Sequence, residues 1–200
     1  MIFIYRRKRR SGLLTPTILG NTIGTNTGGA VNADAAGLCL LIDSDTTGIP
    51  ALISGSWTSV VTASNGSNVH VRVSRKVVTS GEAIDPVGGS RARLLILGDY
   101  DPANPIHDAQ GAGGNGNNAN VPGLTYTGPR FTVGFIRRGG SGVPTWASPL
   151  NQNVVAQNTT AVLTLATSAG LLASYAGQAV SVGVGNDWAA GAFAINGAPA

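Results

Sequence analysis

Two histidines, nine carboxylates and three tryptophans are the groups through which this chain could do chemistry. Acid–base or nucleophilic catalysis needs a titrating group held beside its partner. His70 falls in the alternating run Val69–Val73 on the side opposite the valines, and is expected to face solvent. His107 falls in a proline-rich segment, and neither histidine has a cysteine or serine in a recognisable arrangement. A G-x-S-x-G nucleophile elbow is missing. A Ser-His-Asp set assembled only in space stays open, but the expectation is a protein that is not an enzyme.

The carboxylates include two Asp-x-Asp pairs, Asp43/Asp45 and Asp99/Asp101, each following an apolar strand. Meeting at one end of the fold, with Asp108, they would offer hard oxygen ligands to Ca²⁺. The glycine and glutamate positions of an EF-hand loop are missing, which favours aspartates that cap their own turns. No metal or cofactor is expected. Trp57, Trp146 and Trp188, with Tyr100, Tyr126 and Tyr175, are the aromatic rings on which a sugar could stack. Trp57 sits among valines and reads as core. Trp146 and Trp188, surrounded by glycine, alanine and proline, are the candidate glycan contacts. Cys39, the only cysteine, lies in an apolar run, so it reads as a buried small hydrophobe and excludes a disulfide within the chain.

The net charge of +4 comes from one place. Arg6, Arg7, Lys8, Arg9 and Arg10 are consecutive, and the remaining eight basic residues against nine acids leave the body at −1. Such a run could contact phosphates, but without interleaved aromatics or a groove-entering element nucleic acid is the weaker reading. Residues 1–12 are expected to be an extended arm. Met1, Ile2, Phe3 and Ile4 would anchor it on a neighbouring subunit, with Tyr5 and Arg6 to Arg10 behind them. The apolar residues precede the charges, which is not the order of a secretory signal, and no segment approaches the ~18 apolar residues of a membrane span. Charged residues make up only 11% of the chain, against roughly a quarter in ordinary domains. A surface so poor in charge invites association, which suits a dense multi-copy assembly or homo-oligomer.

The elements that must position these groups are strands. Leu38–Ile42 is a continuous apolar run of strand length, as expected for a strand buried on both faces, and Ala92–Leu97 is a second uninterrupted strand. Val69, Val71 and Val73 alternate with polar residues, while Phe131, Val133 and Phe135, and Val180, Val182 and Val184, alternate with hydroxyl residues and glycines. Residues 111–120, GAGGNGNNAN, read as a flexible loop or a link between halves, and 169–175 as the one stretch able to form a helical turn. The small residues Ala190, Ala192 and Ala194 of the last strand suggest a face that another surface approaches closely. Eight to ten short strands with regular turn signals predict an all-β fold, a single jelly-roll-like β-sandwich over residues 13–200. The halves also repeat: an apolar strand, then Gly48-Ile49-Pro50 and Trp57, is echoed by Phe131–Ile136, Gly142-Val143-Pro144 and Trp146.

Leu38–Ile42, Gly48-Ile49-Pro50, Gly55-Ser56-Trp57-Thr58, Val69–Val73, Ser80-Gly81-Glu82, Leu94–Ile106 and Asp187–Ile195 together resemble a β-sandwich domain of tailed-bacteriophage virion proteins, found also in some secreted bacterial proteins. The resemblance spans residues 37–195 and implies a fold and no catalytic residue. It implies a virion location and a structural role in head, neck or tail, as decoration or assembly component, with other virion proteins as partners. The competing expectation is a lectin-like module that binds a host-surface glycan through Trp146 or Trp188.

Overall fold

The computed structural model describes residues 12–24, 31–52, 56–66, 68–84, 91–140, 142–157 and 161–200. In chain order the strands are β1 (Thr17–Gly24), β2 (Val31–Asn32), β3 (Gly37–Asp45), β4 (Thr58–Ser64), β5 (His70–Val78), β6 (Ala83–Ile84), β7 (Arg91–Gly98), β8 (Ile106–Leu124), β9 (Arg130–Gly139), β10 (Leu150–Gln157), β11 (Ala161–Leu172) and β12 (Tyr175–Ile195). The described residues contain no helix, and the expected all-β sandwich is what forms. Residues 169–175, read as a candidate helical turn, belong instead to the end of β11 and the turn into β12. The arm residues Met1 to Arg10 lie outside the described residues.

Each half of the chain makes one antiparallel sheet. The first runs β1-β7-β3-β5-β4 and the second β10-β11-β9-β12-β8, while β2 and β6 form a separate ribbon. Lettering the five sheet strands of each half a to e in chain order, both sheets read a-e-b-d-c. Strand directions also agree. Gly111 abuts Thr62 and Ala63, while Gly113 abuts Ser64 and Asn65, so β8 and β4 run the same way along the edge where the sheets meet. Since β4 is parallel to β3 and β8 to β9, the central strands of the two sheets are parallel. With the c edge of one sheet facing the a edge of the other, the halves are related by a pseudo-two-fold axis along the strands. The repeated sequence pattern is therefore a repeated topology. Trp57 and Trp146 both sit in b-to-c connections, and both are buried against the outer face of their own sheet.

Burial on both faces accounts for the continuous apolar strands. Leu38, Leu40 and Ile42 of β3 point between the sheets with Leu95, Leu97, Phe131, Val133, Phe135 and Phe193. Cys39 and Leu41 point outward into a second cluster with Leu94, Ile96, Trp57 and Ile84. The second sheet covers its own outer face by curling. The extended β8–β12 pair and the segment carrying Trp146 and Leu150 enclose Ile136, Ala190, Ala192 and Ala194. The alanines of β12 thus admit parts of the same chain, not a partner surface.

Residues 111–120 are not a loop but the middle of β8, paired with β12. Glycine is required there by close approach. A Cβ on Gly111 would stand 2.2 Å from Thr62 O, and one on Gly113 only 2.0 Å from Ser64 O. The low-complexity tract is what lets two backbones touch.

Candidate binding cleft at the foot of the sandwich

The β7-to-β8 connection, the segment before β1 and the residues after β12 meet at one end of the sandwich. Ala198 N donates to Asp99 O at 2.8 Å, Asp101 N to Asn196 O at 2.9 Å, Asn196 N to Pro105 O at 3.0 Å and Leu14 N to Ala198 O at 2.8 Å. These bonds satisfy backbone groups that would otherwise be stranded beyond the sheet ends. Gly197 is fixed by sterics, since a Cβ there would lie 1.8 Å from Leu14 O. Asp99 adopts a left-handed φ of 55°, a conformation that aspartate tolerates better than most residues, and accepts from Thr17 Oγ1 at 2.9 Å.

The three segments enclose a cleft of about 330 Å³ whose polar lining is Asp101, Asn104, His107, Arg130 and Asn196. Leu13 and Pro199 supply its apolar wall. His107 stands edge-on to Tyr126, with ring centroids 6.4 Å apart at 81°. Asp101 Oδ1 accepts from Ala103 N at 2.9 Å. Asn196 donates its Nδ2 to Asn104 O at 2.5 Å, and its Oδ1 is buried without a partner. Arg130 Nη1 donates to Pro129 O at 2.9 Å, and Nε is buried without a partner. A donor and an acceptor on residues of one cleft are thus left unsatisfied, at a typical cost of about 1–3 kcal/mol each.

The other residues singled out from sequence are dispersed. Leu38 pairs with Leu97 and Asp43 with Ala92, so the two Asp-x-Asp pairs lie at opposite ends of the first sheet. At ~3.3 Å per residue they are roughly 20 Å apart and cannot share an ion. The described residues contain no group of three or more side chains able to hold a metal. Asp45 caps its own turn, accepting from Thr46 N at 2.5 Å and Thr47 Oγ1 at 3.2 Å. Asp43 is 3% exposed with no well-formed hydrogen bond to either carboxylate oxygen, only the weaker influence of the Ser44 N–H, and burial pushes its pKa up to about 7.

His70 does not face solvent. It is buried, and its Nδ1 lies 2.7 Å from Ser64 Oγ, which also accepts from Gly66 N at 2.8 Å. Asp45 is its register partner across β3 and β5 but directs its carboxylate to its own turn, so Ser64 and His70 staple the Asn65-Gly66 hairpin without it. Trp146 and Trp188 are buried at 9% and 5% exposure, which removes the ring faces that sugar stacking needs. Trp146 Nε1 donates to Thr164 Oγ1 at 2.9 Å inside the outer cluster.

Arg130, Asn104 and Asn196 escaped sequence reasoning because β9–β12 pairing alone brings Arg130 to Asn196, and Asn104 joins them from the connection between the two halves. The available signal was the likeness of 99–105 and 196–200, both rich in proline, asparagine, glycine or alanine and both directly after an e strand. No family model, curated protein or solved structure matches this chain.

Proposed function

We propose that the chain is a non-enzymatic structural protein of a tailed-phage virion, present in many copies and held to its neighbours by docking at the outer edge of β1. The observation that carries this reading is an asymmetry between the two sides of the sandwich. On one side β4 and β8 close on each other through glycines. On the other, β1 pairs with β7 alone, and beside its free edge Ile18 and Leu19 are 42% and 50% exposed, with Leu13 and Leu14 next in line. Isolated proteins blunt such an edge with charge or cover it. Here a neighbouring strand would complete it by main-chain pairing, with the apolar side chains giving register.

The segment preceding β1 supports the same reading. Gly12–Pro16 leads directly into β1, so the proposed docking arm of residues 1–12 is joined to the chain just ahead of that strand. The low charge of the body fits a surface meant to be covered.

The test is incorporation into particles. Leu19→Lys, and separately deletion of residues 1–12, are expected to abolish copurification with particles, while the isolated protein keeps its unfolding temperature. Wild-type incorporation of both variants overturns the proposal.

A further inference from the structure

We infer that the foot cleft binds a small hydroxylated carboxylate, of the kind presented by a uronic acid residue. The inference is independent of the structural role proposed above. In a guanidinium group Nε and Nη2 share the edge that grips a carboxylate through two parallel hydrogen bonds. In Arg130 the Pro129 carbonyl holds the opposite nitrogen, Nη1, and Nε is unsatisfied. The side chain is thereby anchored at one corner with its recognition edge unused. A ligand carboxylate that draws this edge into the cleft restores the missing hydrogen bond and supplies the counter-charge.

The rest of the lining suits hydroxyl groups. Asp101 Oδ1 is taken by Ala103 N, leaving Oδ2 as an acceptor. Asn196, oriented by its bond to Asn104 O, lines the same cleft, and its buried Oδ1 gains a partner only if the side chain turns outward to a second hydroxyl. A carboxylate beside Asp101 would be repelled, so the charge at the Arg130 side and hydroxyls at the Asp101 side fix one orientation. Leu13 and Pro199 offer a wall to the C–H face of a ring, and about 330 Å³ is at the small end of ligand-site volumes. An acidic monosaccharide unit matches this size and polarity, whereas a purely apolar ligand would leave Arg130 Nε and Asn196 Oδ1 without partners.

The experiment is a titration of the full-length protein, followed by NMR chemical-shift changes, with methyl glucuronide, methyl glucoside, a linear uronate polymer and free lactate as probes. Methyl glucuronide is expected to bind at least tenfold more tightly than methyl glucoside, with shifts centred on His107 and Asn196. Arg130→Gln should remove that tenfold preference without changing the unfolding temperature, and Arg130→Lys should restore part of it. A polymer bound more tightly than the monosaccharide identifies a glycan as the source, while lactate bound as well as the glucuronide identifies a free hydroxy acid. Equal binding of charged and neutral sugars, no binding of any probe, or wild-type affinity in Arg130→Gln overturns the inference.

Discussion

Gly114 of β8 lies directly opposite Trp188 of β12, and a Cβ on Gly114 would come within 2.7 Å of Trp188 Cζ2. Alternate small residues of β8 serve two different surfaces. Ala112 and Gly114 lie under the outer cluster containing Trp188, while Gly111 and Gly113 take the backbone of β4. An indole can shift by a few tenths of an ångström, but a strand backbone held in a sheet cannot. Gly113→Ala is therefore expected to destabilise more than Gly114→Ala, by about 1–3 kcal/mol or above. Gly170→Ala, which meets nothing within 4 Å, should stay within about 0.5 kcal/mol of wild type. Urea denaturation of the three variants decides this, and an equal loss at Gly113 and Gly170 would refute the close-approach account.

The contrast between Leu38–Ile42 and residues 111–120 shows what the sequence makes legible. A run of large apolar residues announces its strand because burial on both faces demands them. Gly111 to Asn120 hides its strand because the demand there is for the absence of side chains, which is also the signature of a loop. His70 misleads for a related reason. Its alternation with the valines correctly puts it on the other face, but that face is covered too, and the Ser64 hydroxyl makes burial tolerable. The repeat of strand, glycine–proline turn and tryptophan did foreshadow the duplicated topology. The cleft could not be foreseen, since Arg130 and Asn196 become neighbours only through the β9–β12 pairing that sets Ile195 opposite Phe131, and Leu13, Asp101 and Asn104 reach them from the first half of the chain.

Asp43 should impose a pH dependence on stability. Burial disfavours its charged form, the nearby Asp45 charge adds to this, and the Ser44 N–H offsets it only in part. Arg72, its cross-strand partner on β5, also has a buried Nε without a partner, so the two are not bonded to each other. With a folded pKa of about 7 against 3.8 for the free group, the folded state holds its proton more tightly than the unfolded chain. This contribution is flat below the free value, declines as pH rises towards 7, and levels off above, for a total on the order of 2–4 kcal/mol. Asp43→Asn should remove the decline and be the more stable protein at pH 8. Parallel stability profiles for the two proteins from pH 4 to 8 would disprove the assignment.

The bond from Trp146 to Thr164 separates ring burial from polar satisfaction. Trp146→Phe retains most of the packing but strands the Thr164 hydroxyl, which is fully buried. A loss of about 1–2 kcal/mol is expected. Trp146→Ala should cost about 3–5 kcal/mol, because the outer cluster of the second sheet then contains a cavity. Thr164→Val in the Trp146→Phe background should recover stability by removing the stranded hydroxyl, as measured by chemical denaturation. A further loss in the double variant would mean that the hydroxyl has another role.

The pseudo-two-fold relation makes a prediction about chain connectivity. The link from β7 to β8 and the gap from β12 back to β1 occupy equivalent places at the same foot, where Ala200 N donates to Gly12 O at 3.0 Å. A short glycine–serine linker can therefore join residue 200 to residue 12. Opening the chain between Pro102 and Ala103, both exposed, then exchanges the order of the halves and leaves every strand pairing of both sheets intact. This permutant should unfold cooperatively within about 10 °C of the parent, because the lost Asp101–Ala103 bond is worth only ~1 kcal/mol and the rest reflects a loosened strap. A permutant opened between Gly113 and Gly114 breaks β8 where it touches both β4 and β12, and it should fail to fold. Circular dichroism and thermal melts of the two permutants distinguish them; equal folding of both, or failure of the first, would show that the halves are not interchangeable in order.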